Sequence, residues 1–273
     1  MIYFKIFLLA LFLRLLCLGI IQYYEIPTLL TLEQTEKYLF STNPPKEIQL
    51  ADASDYYYTS INLEVPKFLG EYYGYSNWYE RQPLHVLVLY LTKQSILFQI
   101  LLSTLTVLLL FRMNHIVGLI YAFYPQSIIY SCMFTKVTLM VFLMVLAVYL
   151  FKKPYKIVIA FIIIQLMFTS IFNYFPHTSG IAVEFQRGLW NKFWGLWQPT
   201  FNHTFVLFGN WIQYIQMPFY ILVMIAFLRS RVNYVWLIAF IMSIGAMIQY
   251  AHPFHREIII PLILLNINEE LFS

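Results

Sequence analysis

The chain has 273 residues, of which 60% are hydrophobic, 19% aromatic and 11% charged, a balance that excludes an ordinary soluble domain. Its formal net charge of +4 is scattered rather than gathered on a basic face, so no nucleic-acid partner is expected. Cys17 and Cys132 stand alone in separate apolar runs, which argues against a disulfide framework or a thiolate metal site and reads as core packing.

The first apolar run, Ile2 to Ile21, has Lys5 near its start and Arg14 inside it but lacks a small-x-small cleavage site, so it reads as a first membrane span rather than a leader. An arginine inside a span is expensive, and Arg14 is expected to face protein or a polar cavity. It would serve either a structural pairing with an acid or a substrate. From Gln22 to Gln82 the acidic side chains Glu25, Glu33, Glu36, Glu47, Asp52, Asp55, Glu64, Glu71 and Glu80 outnumber Lys37, Lys46, Lys67 and Arg81. A net acidic loop belongs outside. This first external loop, residues 22–94, holds the candidate active site. Thr42-Asn43-Pro44-Pro45 breaks it into a part with helical pattern and a tyrosine-rich part. The apolar piece Leu84 to Leu91 after the Arg81 to Leu84 turn is too short to cross a bilayer and is expected at the surface or dipping partly in.

The next spans are Ser95 to Phe111 inward, Ile116 to Tyr130 outward, Thr138 to Phe151 inward and Ile157 to Phe172 outward. A second external loop, 174–210, follows, then Trp211 to Leu228 inward and Val232 to Tyr250 outward. This order keeps Arg112, Lys152, Lys153, Lys156, Arg229 and Arg231 inside, whereas counting Leu84 to Leu91 as a span would expose the lysine cluster outside. The expected fold class is therefore all-α: one polytopic membrane domain over 1–273 with about seven transmembrane helices and short juxtamembrane helices in an external loop. In the second loop Trp190, Trp194 and Trp197 recur at i, i+4, i+7 with Leu189 and Phe193 beside them, the pattern of an interfacial amphipathic helix. After Tyr250, His252, His255 and Arg256 gather at the external surface.

Several stretches, taken in order, resemble the GT-C superfamily of integral-membrane glycosyltransferases that use polyprenyl-phosphate sugars. The likeness is to bacterial members similar to protein O-mannosyltransferases and the aminoarabinose transferase of lipid A, with this chain a short member. LFLRLLCLG around Arg14 is similar to that group's first span. Asp52-Ala53-Ser54-Asp55-Tyr56 is similar to its Asp-Ala-x-x-Tyr loop motif. RQPLHVLVLYL from Arg81 is similar to its Arg-Pro-Pro-Leu-Tyr-Pro segment, with Gln82 and Val86 in place of prolines. Gly118 to Leu150 resembles its span pair with a central Tyr-Pro, although Lys136 stands where a carboxylate is usual. HREIIIPLILL resembles its closing segment.

The resemblance implies transfer of a sugar from a polyprenyl-phosphate donor to an acceptor hydroxyl of a lipid, glycan or protein, at the external or periplasmic face of the plasma (inner) membrane. Such chemistry needs a base for the acceptor hydroxyl and cations for the departing phosphate. Asp52, which fits the motif, and Asp55, on one of its variable positions, are the candidate bases; in a polar loop the same residues also serve as solvated or capping groups. Arg256, with His255, Lys136 and Arg81, would neutralise the phosphate, because a guanidinium matches phosphate oxygens as a fork. Tyr56 would line the sugar. Cations alone hold a lipid monophosphate, so neither a metal nor a cofactor is expected. His85, His177 and His203 lack ligand spacing and read as interfacial polar residues. A lipid or solute transporter, which would show inverted repeats, and a non-catalytic membrane subunit, favoured by Lys136, are the competing classes.

Overall fold

The computed structural model describes residues 1–39, 48–73, 76–80, 82–151 and 153–168. They are mostly helical, with no strand among them. The Thr42 to Pro45 breaker, Arg81, the tryptophan helix, the two last expected spans and the His252, His255 and Arg256 cluster lie outside the described residues.

Helix α1 (Ile2–Tyr23) is 22 residues long, about 33 Å. Ile6, Ala10, Arg14, Cys17 and Ile21 recur at three- and four-residue spacing and form its buried stripe. Phe4, Leu8, Phe12, Leu15, Leu16 and Ile20 are exposed on its other sides. An outward surface this apolar suits lipid rather than water.

Helix α2 (Leu32–Leu39) opens on a reciprocal cap: Gln34 N donates to Thr31 Oγ1 at 3.2 Å and Thr31 N to Gln34 Oε1 at 3.0 Å. Helix α3 (Ile48–Asn62) is held to the chain after α1 by Leu30, whose N–H donates to Ser54 Oγ at 2.7 Å and whose carbonyl accepts from Tyr58 Oη at 3.1 Å. Helix α4 (Lys67–Tyr73) carries an exposed Lys67–Glu71 pair at 3.9 Å, a geometry worth little in water. Helix α5 (Pro83–Leu91) takes Pro83 in its first turn, where the missing N–H costs nothing. The expected short apolar piece is thus a nine-residue helix. Gln94 Nε2 ties the following turn to Ser60 O of α3 at 2.9 Å.

Helix α6 (Ile96–Met113) is the second helix long and apolar enough to cross a membrane. The ring of Tyr3 meets Phe111 edge-on at 5.7 Å, so the start of α1 lies by the end of α6. The start of α6 therefore shares the other end of the bundle with α3 and α5. Asn114 ends α6 and caps helix α7 (His115–Ala122), its Oδ1 accepting from Ile116 N at 3.0 Å and Val117 N at 3.2 Å. Gly118 lets α7 double back tightly: a Cβ there would stand 2.3 Å from Phe111 Cα.

The sequence predicts one crossing from Ile116 to Tyr130, but the structure builds it as α7 and helix α8 (Pro125–Ser131), separated at Phe123 and Tyr124. Pro125 is the reason, since a residue before proline is pushed out of the helical region, and Tyr124 is extended at φ −67°, ψ 110°. Helix α9 (Lys136–Leu150) follows α8 at a bend of 116°. Helix α10 (Pro154–Phe168) then starts on another proline. Among the described residues two helices are long and apolar enough to cross, or three if α8 and α9 form one broken span.

Cys17 and Cys132 are both buried in the main apolar cluster, as expected of packing residues. Inside a bilayer such a cluster is held by close contact rather than by removal of apolar surface from water.

Candidate functional site

Three stretches that are distant in sequence meet at the end of the bundle where α6 begins. Ala53 and Tyr56 from α3, Val86 and Leu89 from α5, and Phe134 from the turn between α8 and α9 form one buried cluster, with Tyr57 and Trp78 packed against it. Tyr56 meets the His85 ring edge-on at 5.2 Å, and Tyr57 lies 5.1 Å from Phe134. These are three of the stretches on which the sequence resemblance rests.

Each candidate residue has a definite relation to this cluster. Tyr56 is inside it and Asp55, its neighbour on α3, is buried and accepts from Thr59 Oγ1 at 3.1 Å. Asp52 sits on the same helix three residues before Asp55, so their backbone positions share a side of α3. Lys136, the first residue of α9, is close enough for its charge to act on His85. Arg81, His255 and Arg256 lie outside the described residues. Among the described residues no three His, Cys, Asp or Glu side chains stand together as metal ligands would.

His85 corrects the sequence reading. An interfacial position was expected, but the side chain is fully buried and its Nε2 lies 3.0 Å from Phe134 O. A carbonyl oxygen only accepts, so Nε2 carries the proton and Nδ1 presents a bare lone pair. Burial pulls the ring down to a pKa of about 4, the charge of Lys136 acts in the same sense, and the bond to Phe134 opposes both. Nothing in the local sequence marks this role, because the partner carbonyl comes from 49 residues away.

Because the folded state prefers neutral His85, its contribution to stability is present above about pH 6.5, the ordinary histidine value. It is lost as pH falls from there towards the folded value of about 4, reaching about 3 kcal/mol. Unfolding in detergent from pH 7.5 to 4.5 is expected to show wild type losing stability faster than His85→Gln. Parallel curves would contradict a neutral, buried ring.

A second polar feature lies within the bundle. Arg14 is fully buried, and its Nε donates to Ser103 Oγ at 2.7 Å, Nη1 to Ala10 O at 3.0 Å and Nη2 to Ser127 Oγ at 3.3 Å. Among the described residues its hydrogen-bond partners are hydroxyl and carbonyl oxygens, not an acid, which was one of the two roles the sequence left open. Ser103, Thr106, Tyr121, Ser127, Tyr130 and Thr138 put hydroxyls around an adjoining cavity of about 10 Å³, room for about one water. Ser103 passes its own proton to Ser127 O at 3.4 Å, Ser127 to Tyr124 O at 2.9 Å and Thr106 to Leu102 O at 2.9 Å. The Ser103 and Ser127 oxygens are thus free to accept from the guanidinium. Arg14 joins α1, α6 and α8 in this way.

No family model matches the chain, and neither does any curated protein or solved structure.

Proposed function

We propose that the chain is a GT-C-type membrane glycosyltransferase, moving a sugar from a polyprenyl-phosphate donor to an acceptor hydroxyl at the external face of the plasma membrane. The observation that supports this reading is the meeting of α3, α5 and the turn between α8 and α9 around Tyr56, His85 and Phe134, since those stretches carry the resemblance separately in the sequence. In the proposed reaction Asp52 takes the acceptor proton, the acceptor oxygen bonds to the sugar carbon, and the bond from that carbon to the phosphate oxygen breaks. Lipid phosphate departs as an anion. Lys136, Arg81, His255 and Arg256 would stabilise it, the arginines by forked contacts. Membrane lipids surround the donor, whose chain stays in the bilayer. A non-catalytic relative is the second reading, favoured by Lys136 in the usual place of a carboxylate.

The direct test is transfer of labelled sugar from polyprenyl phosphate by the purified protein in detergent. Release of lipid phosphate matched by labelled acceptor supports the enzyme reading. Tight donor binding without turnover on lipid, glycan or protein acceptors favours the non-catalytic one.

The proposed topology has about seven spans with the Lys152, Lys153 and Lys156 cluster inside. Helix α9 leads away from Lys136 beside His85 for 15 residues, about 22 Å, towards Lys153. Glu71 and Lys153 are exposed and the native cysteines are buried. Single cysteines at these two positions are therefore expected to react with an impermeant thiol reagent from opposite sides of the membrane. Reaction of both from one side would overturn the span order.

A further inference from the structure

Two adjoining helix starts leave polar atoms buried without a partner among the described residues. Gln82 and Thr135 occupy the N-cap positions of α5 and α9, yet neither side chain makes the usual cap to the first-turn N–H groups. Gln82 Oε1, Thr135 Oγ1 and His85 Nδ1 are all buried and have no hydrogen-bond partner among the described residues. The three belong together: His85 is in the first turn after Gln82, and its Nε2 bonds to the carbonyl of Phe134, the residue before Thr135. Gln82 is also held in the left-handed region at φ 51°, ψ 52°, a conformation that a non-glycine residue keeps only when its surroundings require it. Leaving one buried acceptor unmade is costly, and leaving three in one place asks for a group that would fill them.

The chemistry of these atoms selects the group. Gln82 Oε1 and the bare Nδ1 of His85 only accept, while Thr135 both donates and accepts. A phosphate or carboxylate brings acceptors and leaves them unmet. A cation is disfavoured by the charge of Lys136, which acts on the same histidine. A neutral group rich in hydroxyl donors meets all three, and the rings of Tyr56, Tyr57 and Trp78 in the same cluster offer it apolar faces.

We infer that the starts of α5 and α9 form a sugar-binding subsite in which Gln82, His85 and Thr135 accept or exchange hydrogen bonds with the hydroxyls of a glycosyl group. The identity of the ligand as the donor's sugar rests on the glycosyltransferase reading. The three residues are substrate-binding groups for the sugar, and the phosphate would be held beside them by the cations, among them Lys136, the residue after Thr135.

The experiment measures binding of farnesyl phosphoryl-mannose, farnesyl phosphoryl-glucose and sugar-free farnesyl phosphate to the purified full chain in detergent. Wild type is compared with Gln82→Met and Thr135→Val, which keep shape and remove the unpartnered atom. Because those atoms have no hydrogen-bond partner among the described residues, both variants are expected to unfold at the wild-type temperature or above it. Each is expected to weaken binding of at least one sugar-bearing lipid by roughly tenfold, one hydrogen bond's worth, with farnesyl phosphate unchanged. On adding that lipid, the Nδ1 resonance of ¹⁵N-labelled His85 is expected to shift as its lone pair gains a donor.

Equal affinities in all variants with a stationary Nδ1 resonance would show that these atoms hold only water and overturn the subsite. So would a lowered unfolding temperature in both variants, which would reveal structural partners. Variant-sensitive sugar binding without any transfer keeps the subsite and overturns the enzyme reading alone. Failure of wild type to bind any of the three lipids overturns both.

Discussion

Asp52→Asn is expected to lower sugar transfer by about a hundredfold to ten-thousandfold, the usual worth of a positioned base, with donor binding largely intact. The asparagine keeps the shape of the side chain and cannot take the acceptor proton, so the loss falls on turnover rather than on affinity. Asp55→Asn is expected to cost much less in rate. Asp55 is buried against Thr59, whose hydroxyl donates to it at 3.1 Å, and an amide oxygen can accept the same bond. Its substitution should register in thermal stability before it registers in transfer. The check is labelled-sugar transfer and donor affinity measured on the same purified variants. Wild-type turnover in Asp52→Asn would remove that residue as base, and a full loss confined to Asp55→Asn would move the role to Asp55.

The largest expected effect on stability is at Gly118. A methyl there would stand 2.3 Å from Phe111 Cα and 2.5 Å from Phe111 N, and those are backbone atoms of a helix that has no side-chain torsion with which to retreat. Gly118→Ala is expected to cost about 3 kcal/mol, at the upper end of overpacking penalties, unless α7 moves off α6. Gly19 is the internal control, since an added Cβ meets nothing within 4 Å there. Gly19→Ala is expected to be neutral or to stabilise α1 by up to about 1 kcal/mol. Unfolding of both variants in mixed detergent provides the comparison, and equal stabilities would contradict the close approach of α6 and α7.

What the sequence made legible follows from what each feature depends on. Helices α1 and α6 were readable because a long apolar run is a local property, and Arg14 was readable as protein-facing because its burial is the only inexpensive solution within a span. Its actual partners were not, since Ser103 and Ser127 come from other helices and a hydroxyl pair leaves no mark in the pattern. Pro125 carried the break between α7 and α8 in plain view, but an apolar count over Ile116 to Tyr130 passes over a proline that a membrane helix often tolerates. The helical state of the Asp52 to Tyr56 stretch, conditional in the sequence, is met by α3.

The candidate site divides in the same way. Tyr56 and Lys136 were singled out by resemblance, and the fold brings both to His85. The burial and fixed tautomer of His85 went unrecognised because the tautomer is set by the carbonyl of Phe134, 49 positions away. Gln82 stood out in the sequence only as a replacement for a proline, and only in three dimensions do it and Thr135 show buried side-chain oxygens without a partner among the described residues.

The central claim is that α3, α5 and the turn between α8 and α9 together receive the sugar end of a lipid-phosphate donor. The most direct measurement is photocrosslinking with a polyprenyl phosphoryl-sugar carrying a diazirine on the sugar, followed by peptide mapping of the purified chain. The account predicts labelled peptides from Ala53 to Tyr57, from Gln82 to Val86 and from Phe134 to Lys136, with labelling competed by unmodified donor. Competed labelling confined to peptides elsewhere, with none in these three stretches, would contradict it.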